Sequence, residues 1–363
     1  MKPLSYFTLK LQSAQTFLSR LRGGNLMRVI GVTKAPHFSF HFSLFIFLFS
    51  FSACSDLADP AQSGSLVPRT VDEDSSLPSL LVNGTLLHVE TFGDPADPIV
   101  VMIHGGPGGD YRSLLKAKAF ANDGFFVVFY DQRGTGLSQR VDASDFDDVQ
   151  IMIDDLDALI THFRLEDDQK VFLVGHSWGA MLATGYINQH PEKVDGAVLA
   201  EPGGFTWDQV LEYVSKSNHV NLFSEALNDA LFPEEIFAGR DEHEILDYKA
   251  AYFFTFENAP GNTIGNAGPY PFWRSGAVSF EAMYETGESK GLDFTTHLQD
   301  YDTRVLFTYS ELNTAYGQDW ANTVGSAYPH IEYQLIPGTG HELLYFGWDA
   351  FYPIALTYLN EMK

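Results

Sequence analysis

One cysteine, Cys54, stands in 363 residues, so no disulfide can close within the chain and no cysteine cluster can hold zinc or an iron–sulfur centre. Basic side chains are few as well, with 22 Lys and Arg against 47 Asp and Glu. Six of those 22 lie within residues 1–53, a stretch with no acidic residue. The rest of the chain therefore sets 16 basic against 47 acidic side chains, a net of −31. So acidic a body repels nucleic acid and anionic lipid surfaces, which argues against a nucleic-acid partner. Long apolar runs are missing too: Leu44-Phe45-Ile46-Phe47-Leu48-Phe49 is too short to span a bilayer. Histidines are scattered, and neither an internal repeat nor a metal-ligand cluster appears, so no metal or cofactor is expected. What the chain has in plenty is core-forming material, 45% hydrophobic and 14% aromatic, enough for a large folded domain.

Basic residues Arg28 and Lys34 precede the apolar stretch, and small residues follow it up to Cys54, as in an export signal. Phe51-Ser52-Ala53-Cys54 resembles a bacterial lipobox, with Phe51 where Leu is usual. Residues 1–53 read as a lipoprotein-type signal, with Met27 as an alternative start, and residues 54–74, rich in Ser, Asp, Pro, Gly and Ala, as a flexible tether. The expected location is the bacterial cell envelope, with an extracytoplasmic body anchored to the membrane by lipid on Cys54.

Asn83-Gly84 between two apolar stretches is a two-residue hairpin signal. After it, a continuous apolar run at 98–103 and further strand-like stretches at 125–130, 171–174, 194–200, 304–309 and 331–336 alternate with helical patterns. Runs without polar alternation suit strands buried on both faces, so the alternation predicts a mostly parallel sheet covered by helices on both sides. Residues 205–300 break the rhythm with helical, aromatic and acidic segments and read as an inserted helical cap; 75–204 and 301–363 form the core.

Val171-Phe172-Leu173-Val174 runs into Gly175-His176-Ser177-Trp178-Gly179 and then a helical pattern. Strand, sharp turn and helix with a serine at the break is the context of a nucleophile elbow. A serine hydroxyl needs a base, and Gly338-Thr339-Gly340-His341 supplies one after the last strand. The tetrahedral oxyanion needs donors: the N–H of Trp178, after the nucleophile, and one from His104-Gly105-Gly106-Pro107-Gly108-Gly109, for which Gly106 is the choice. That glycine run lacks the spacing and the lysine of a phosphate loop.

His104-Gly105-Gly106-Pro107-Gly108-Gly109, Asp131-Gln132-Arg133-Gly134-Thr135-Gly136 and Gly175-His176-Ser177-Trp178-Gly179-Ala180, in this order, resemble the proline iminopeptidase group of the α/β-hydrolase family. The resemblance covers about residues 80–363 and is weak in the cap. It implies an α/β-hydrolase fold and a serine peptidase that removes N-terminal residues, often proline, without a cofactor. It also implies that Asp131 and Arg133 are structural. In that family the triad acid follows the strand corresponding to residues 305–309, where this chain carries Ser310-Glu311-Leu312-Asn313, with Asn313 in place of the aspartate. Two carboxylates can replace it: Glu311 in the same turn, or Glu201 at the end of the strand after the elbow, a place where some α/β-hydrolases carry a glutamate acid. Glu201 is favoured, because a glutamate ending an apolar strand is costly to bury without a partner such as His341. Within the cap, Phe256-Glu257 resembles an aromatic segment ending in a glutamate that holds the substrate's free amine, with Gly105 lining the same site.

The expected function is an aminopeptidase acting on small peptides. A carboxylic-ester hydrolase with the same triad, or a ligand-binding lipoprotein that has lost catalysis, are the alternatives. Ser177 excludes the dehalogenase and epoxide-hydrolase chemistries that attack with an aspartate.

Overall fold

A computed structural model describes residues 66–146, 148–217, 242–257 and 263–363, the side chains of 242 and 252–257 excepted. Cys54 and the leader, and the side chains of Phe256 and Glu257, lie outside the described residues. Eight strands form one sheet: β1 (Ser79–Val82), β2 (Thr85–Phe92), β3 (Ile99–Ile103), β4 (Phe126–Tyr130), β5 (Val171–His176), β6 (Gly196–Ala200), β7 (Val305–Ser310) and β8 (Ile331–Ile336). Their order is β1-β2-β4-β3-β5-β6-β7-β8, antiparallel at β1-β2 and β2-β4 and parallel elsewhere. The hairpin turns on Asn83 and Gly84, both at positive φ, as a type I′ turn requires.

The apolar runs are explained by what lies on each side of the sheet. Val101, Ile103, Leu173 and Leu199 pack with α1 (Gln150–Phe163) and α2 (Trp178–Gln189), through Leu156, Leu159, Leu182 and Tyr186. Their neighbours Val100, Met102, Phe172, Val174 and Val198 point the other way, against Phe120, Phe351 and Leu359. Successive strand residues face opposite layers, so a strand buried on both faces must be apolar throughout.

Between β6 and β7 come α3 (Trp207–Ser217), α4 (Glu242–Glu257) and α5 (Ala277–Lys290). Asp247 of α4, fully buried, accepts from Arg140 Nε at 2.8 Å, Arg274 Nε at 2.7 Å and the Ala277 N–H at 2.9 Å. That three-donor cage ties this helical layer to the body, since a buried carboxylate is tolerated only when its lone pairs are filled.

The tether reading of residues 54–74 is corrected at its end. Val67 and Val71 are buried, the Val71 N–H donates to the Leu137 carbonyl, and Arg274 donates to the Pro68 carbonyl. Ser, Pro and Asp content suggested a flexible linker, but two valines spaced four apart gave this segment enough apolar surface to dock. Among the described residues no helix is long and apolar enough to cross a membrane.

Candidate active site

β5 ends where the chain must turn sharply into α2, and Ser177 sits at that corner with φ 54° and ψ −119°. A non-glycine residue there is strained, and such strain persists only when the surroundings hold it. They do: the Ser177 N–H donates to the Ala200 carbonyl of β6 at 2.8 Å. The flanking glycines are required by contact. A Cβ on Gly175 would lie 2.5 Å from the Gly179 carbonyl oxygen, and one on Gly179 would lie 2.1 Å from the Ile103 carbonyl oxygen of β3.

The glycine run after β3 comes up against this corner. A Cβ on Gly105 would meet Ser177 Cβ at 3.1 Å and His176 Nδ1 at 3.2 Å, so glycine lets the backbone approach the nucleophile. Gly106 follows at φ 131°. Gln132, after β4, braces the two parts: its amide donates to the His104 carbonyl at 2.9 Å and its oxygen accepts from the Trp178 indole at 2.9 Å. Its backbone N–H donates to His104 Nε2 at 3.0 Å, which leaves the Nδ1–H of that buried ring for the Gly105 carbonyl at 2.8 Å. The Trp178 N–H, in the first turn of α2, has no intrahelical acceptor and carries the positive end of the helix dipole.

His341 follows β8 and precedes α6 (Leu343–Phe346). Its Nδ1 lies 2.8 Å from Glu201 Oε2, so Glu201 is the carboxylate that meets the histidine. Glu201 is fully buried, at φ 47°, and its other oxygen accepts the Ser310 N–H at 2.6 Å and Ser310 Oγ at 2.5 Å. Glu311, the alternative acid, instead accepts the Gly338 N–H at 2.8 Å on the exposed side of the turn.

Asn313 takes a role the sequence did not reveal. Its Nδ2 donates to Glu201 Oε2 at 3.0 Å and to the Tyr213 hydroxyl of α3 at 3.2 Å. An aspartate there would set two carboxylates side by side, so the asparagine goes with an acid on β6 instead of β7. Burial works against charge on Glu201, but bonds from His341, Ser310 and Asn313 outweigh it and hold its pKa below the usual carboxylate value. Burial likewise opposes charge on His341, while the Glu201 bond and charge, with Glu342, raise its pKa above that of a free histidine.

Two further polar residues line this cluster. His176, inside the elbow, stacks obliquely on His341 with ring centres 4.8 Å apart. Glu342, next to His341, is buried, and burial pushes its pKa up to about 7. His176, His341 and Glu342 each offer a ligand atom within 4.8 Å of the others, the one such metal-capable group among the described residues. The sequence signal for Glu342 was an acid opening an apolar helix directly after the histidine. Elsewhere Arg133 makes a two-pronged bond to Asp155, and Asp131 accepts from His88, Tyr111 N–H and Leu137 N–H, so both serve the framework.

A family model described as serine aminopeptidase, S33, matches residues 94–249. The AB hydrolase superfamily protein YfhM of Bacillus subtilis (strain 168) is 33% identical over 113 residues, which are 31% of this chain and 38% of that protein. The chain thus spans well under half the length of that relative. A proline iminopeptidase of Clostridium botulinum is 25% identical over 254 residues, 67% of this chain and 83% of the relative. Among solved structures, the proline iminopeptidase of Mycobacterium smegmatis superposes with a TM-score of 0.53 at 17% identity, covering 79% of this chain and 98% of that one, a likeness of fold.

Proposed function

We propose that this hydrolase of the α/β-hydrolase superfamily, which resembles proline iminopeptidases, is a serine aminopeptidase that releases N-terminal proline or another small residue through an acyl-enzyme. The observation that carries the reading is the buried Glu201 carboxylate 2.8 Å from His341 Nδ1, beside the strained backbone of Ser177. A carboxylate at Nδ1 keeps the proton there and leaves Nε2 as the basic nitrogen. His341 then takes the Ser177 proton as Oγ attacks the carbonyl of the first peptide bond. The N–H groups of Trp178 and Gly106 receive the oxyanion, a type of preorganised donor whose removal costs about 100- to 1,000-fold in rate. His341 passes the proton to the leaving amine, and water repeats the cycle to free the amino acid.

The S33 aminopeptidase description and the proline iminopeptidase relative favour an amide substrate with a free N-terminus over a plain carboxylic ester. A panel of N-terminal aminoacyl anilides, run beside uncharged acyl esters of matched size, tests this. Turnover of prolyl or other small aminoacyl anilides is expected, together with fluorophosphonate labelling, and both should vanish in Ser177→Ala. Ester turnover without anilide turnover would make the protein an esterase; an unlabelled serine with neither would leave a ligand-binding protein.

We also propose that Cys54 carries lipid and anchors the body on the outer side of a bacterial membrane, on the strength of the lipobox-like ending of an apolar leader. Radiolabelled fatty acid should enter the wild type and be absent from Cys54→Ser; equal incorporation would end the idea.

A further inference from the structure

The histidine of the triad is fastened to the cap as much as to the core. Its carbonyl accepts from His176 Nε2 of the elbow at 2.8 Å. Its own N–H donates to the Ile264 carbonyl at 2.8 Å, and the next N–H, of Glu342, donates to Asn266 Oδ1 at 2.9 Å. Ile264 and Asn266 lie between α4 and α5, inside the inserted layer. Contact there is backbone to backbone. A Cβ on Gly340 would lie 2.1 Å from the Gly265 carbonyl carbon, and one on Gly265 would lie 2.2 Å from the Leu312 carbonyl oxygen. This cap segment is thus wedged between the histidine loop and the turn after β7, where the Thr314 N–H donates to the Thr263 carbonyl at 2.9 Å.

The acid side of the triad is held from the cap too. Asn313 is buried, its Oδ1 accepts the Ala315 N–H at 3.2 Å, and its Nδ2 serves both Glu201 and the Tyr213 hydroxyl of α3. An amide has two N–H bonds to place. Without that hydroxyl one of them would be buried with no acceptor, and turning the amide over would set its oxygen against the Glu201 carboxylate. Tyr213 Oη also lies 3.5 Å from His341 Nδ1, and its ring meets Tyr316 of the core edge-on with centres 5.4 Å apart. Thr263 Oγ1 donates to the Ser217 carbonyl at the end of α3 at 3.1 Å, which joins the two cap pieces.

We propose that Tyr213 and Asn266 are positioning residues for the triad, so that the cap is a structural half of the reaction centre and not a lid over a finished one. Asn266 fixes where the backbone of His341 stands, and Tyr213 fixes which way Asn313 presents its N–H to Glu201. A reacting group misplaced by about 1 Å loses on the order of a hundredfold in rate. Shifting the cap would therefore disable the site with Ser177, His341 and Glu201 all intact. The inference rests on the serine-hydrolase part of the reading above and not on the choice between amide and ester.

The test measures kcat and KM separately for Tyr213→Phe and Asn266→Ala on prolyl anilide and on an uncharged acyl ester, with the rate of fluorophosphonate labelling of Ser177 beside them. Each variant loses one hydrogen bond, so kcat and the labelling rate should fall about fivefold to tenfold. The factor should be the same on every substrate the wild type turns over, with KM changed by no more than about twofold. Unchanged kcat in both variants, or a rise in KM with kcat kept, would overturn the proposal and make these residues part of the pocket wall. Hydrogen exchange of the wild type needs no variant to fold: amides of residues 339–344 should open together with those of 263–266 and α3. Protection of 339–344 that outlasts exchange of those cap segments would overturn it as well. Ester turnover without anilide turnover would remove the aminopeptidase reading and leave this test intact, whereas an unlabelled serine with no turnover would remove the triad and this inference together.

Discussion

Glu201→Gln should lower kcat on an aminoacyl anilide by three to four orders of magnitude, the size of effect seen when a triad carboxylate becomes an amide. The reason lies in how many bonds this side chain serves. Oε1 is committed to the N–H and hydroxyl of Ser310, so the new amide nitrogen would take the Oε2 place facing His341 Nδ1. An N–H there forces His341 to accept at Nδ1 and to carry its proton on Nε2, where it can no longer take one from Ser177. Asn313 Nδ2 would also lose its acceptor and must turn over.

A pH profile adds a second reading. His341 acts as a base in its neutral form, and its pKa is raised, so wild-type kcat/KM should fall as pH drops through a value above that of a free histidine. Removing the Glu201 charge takes away the chief raising influence and should move that acidic limb to lower pH. Glu311→Gln should change kcat by no more than about threefold, as its partner is the Gly338 N–H on the exposed side of the turn. Full activity in Glu201→Gln would remove Glu201 from the triad.

Gly179→Ala should cost about 3 kcal/mol of stability and reduce kcat/KM by roughly a hundredfold. Its Cβ would press on the carbonyl oxygens of Ile103 and His104 at 2.1 and 2.6 Å. Both are backbone atoms of a central strand and its exit, so no side chain can swing aside. Relief requires α2 to lift from β3, and that separates the Trp178 N–H from the Gly105-Gly106 loop. Gly268→Ala is the control, because a Cβ there meets nothing within 4 Å; its melting temperature and activity should stay near wild type. Denaturant unfolding with steady-state kinetics decides the matter. A Gly179→Ala protein as stable and active as Gly268→Ala would show that the elbow tolerates separation from β3.

Much of the fold could be read directly from the chain. The apolar runs became strands β3 to β7 with ends shifted by a residue or two, because a doubly covered strand has no solvent side on which to place a polar residue, while the mixed run 331–336 became the half-exposed edge strand β8. Asn83-Gly84 made its hairpin because few other pairs adopt two consecutive positive φ angles cheaply. Residues 66–74 were misjudged, because composition reports flexibility while Val67 and Val71 report burial only once a groove exists to receive them.

The site divides in the same way. Ser177, His341, Gly105 and Gly106 stand in motifs whose local geometry is set by immediate neighbours, so their gathering at the strand ends could be anticipated. The choice between Glu201 and Glu311 could not be settled locally, because it depends on which way each carboxylate leaves its turn. Asn313 looked like the loss of an acid, and only the packing of β6 against β7 turns it toward Glu201.

By itself, then, the sequence determined a parallel sheet, an elbow serine and a histidine after the last strand, since those follow from periodicity, glycine sterics and chain order, all properties of short segments. The tertiary structure alone decided that Glu201 meets His341, that Asn313 supports it, and that Glu342 and His176 come to lie 4.0 Å apart. Those are relations between strand ends more than a hundred residues apart, or between neighbours whose direction is set by everything packed around them, and no local pattern encodes a direction in space.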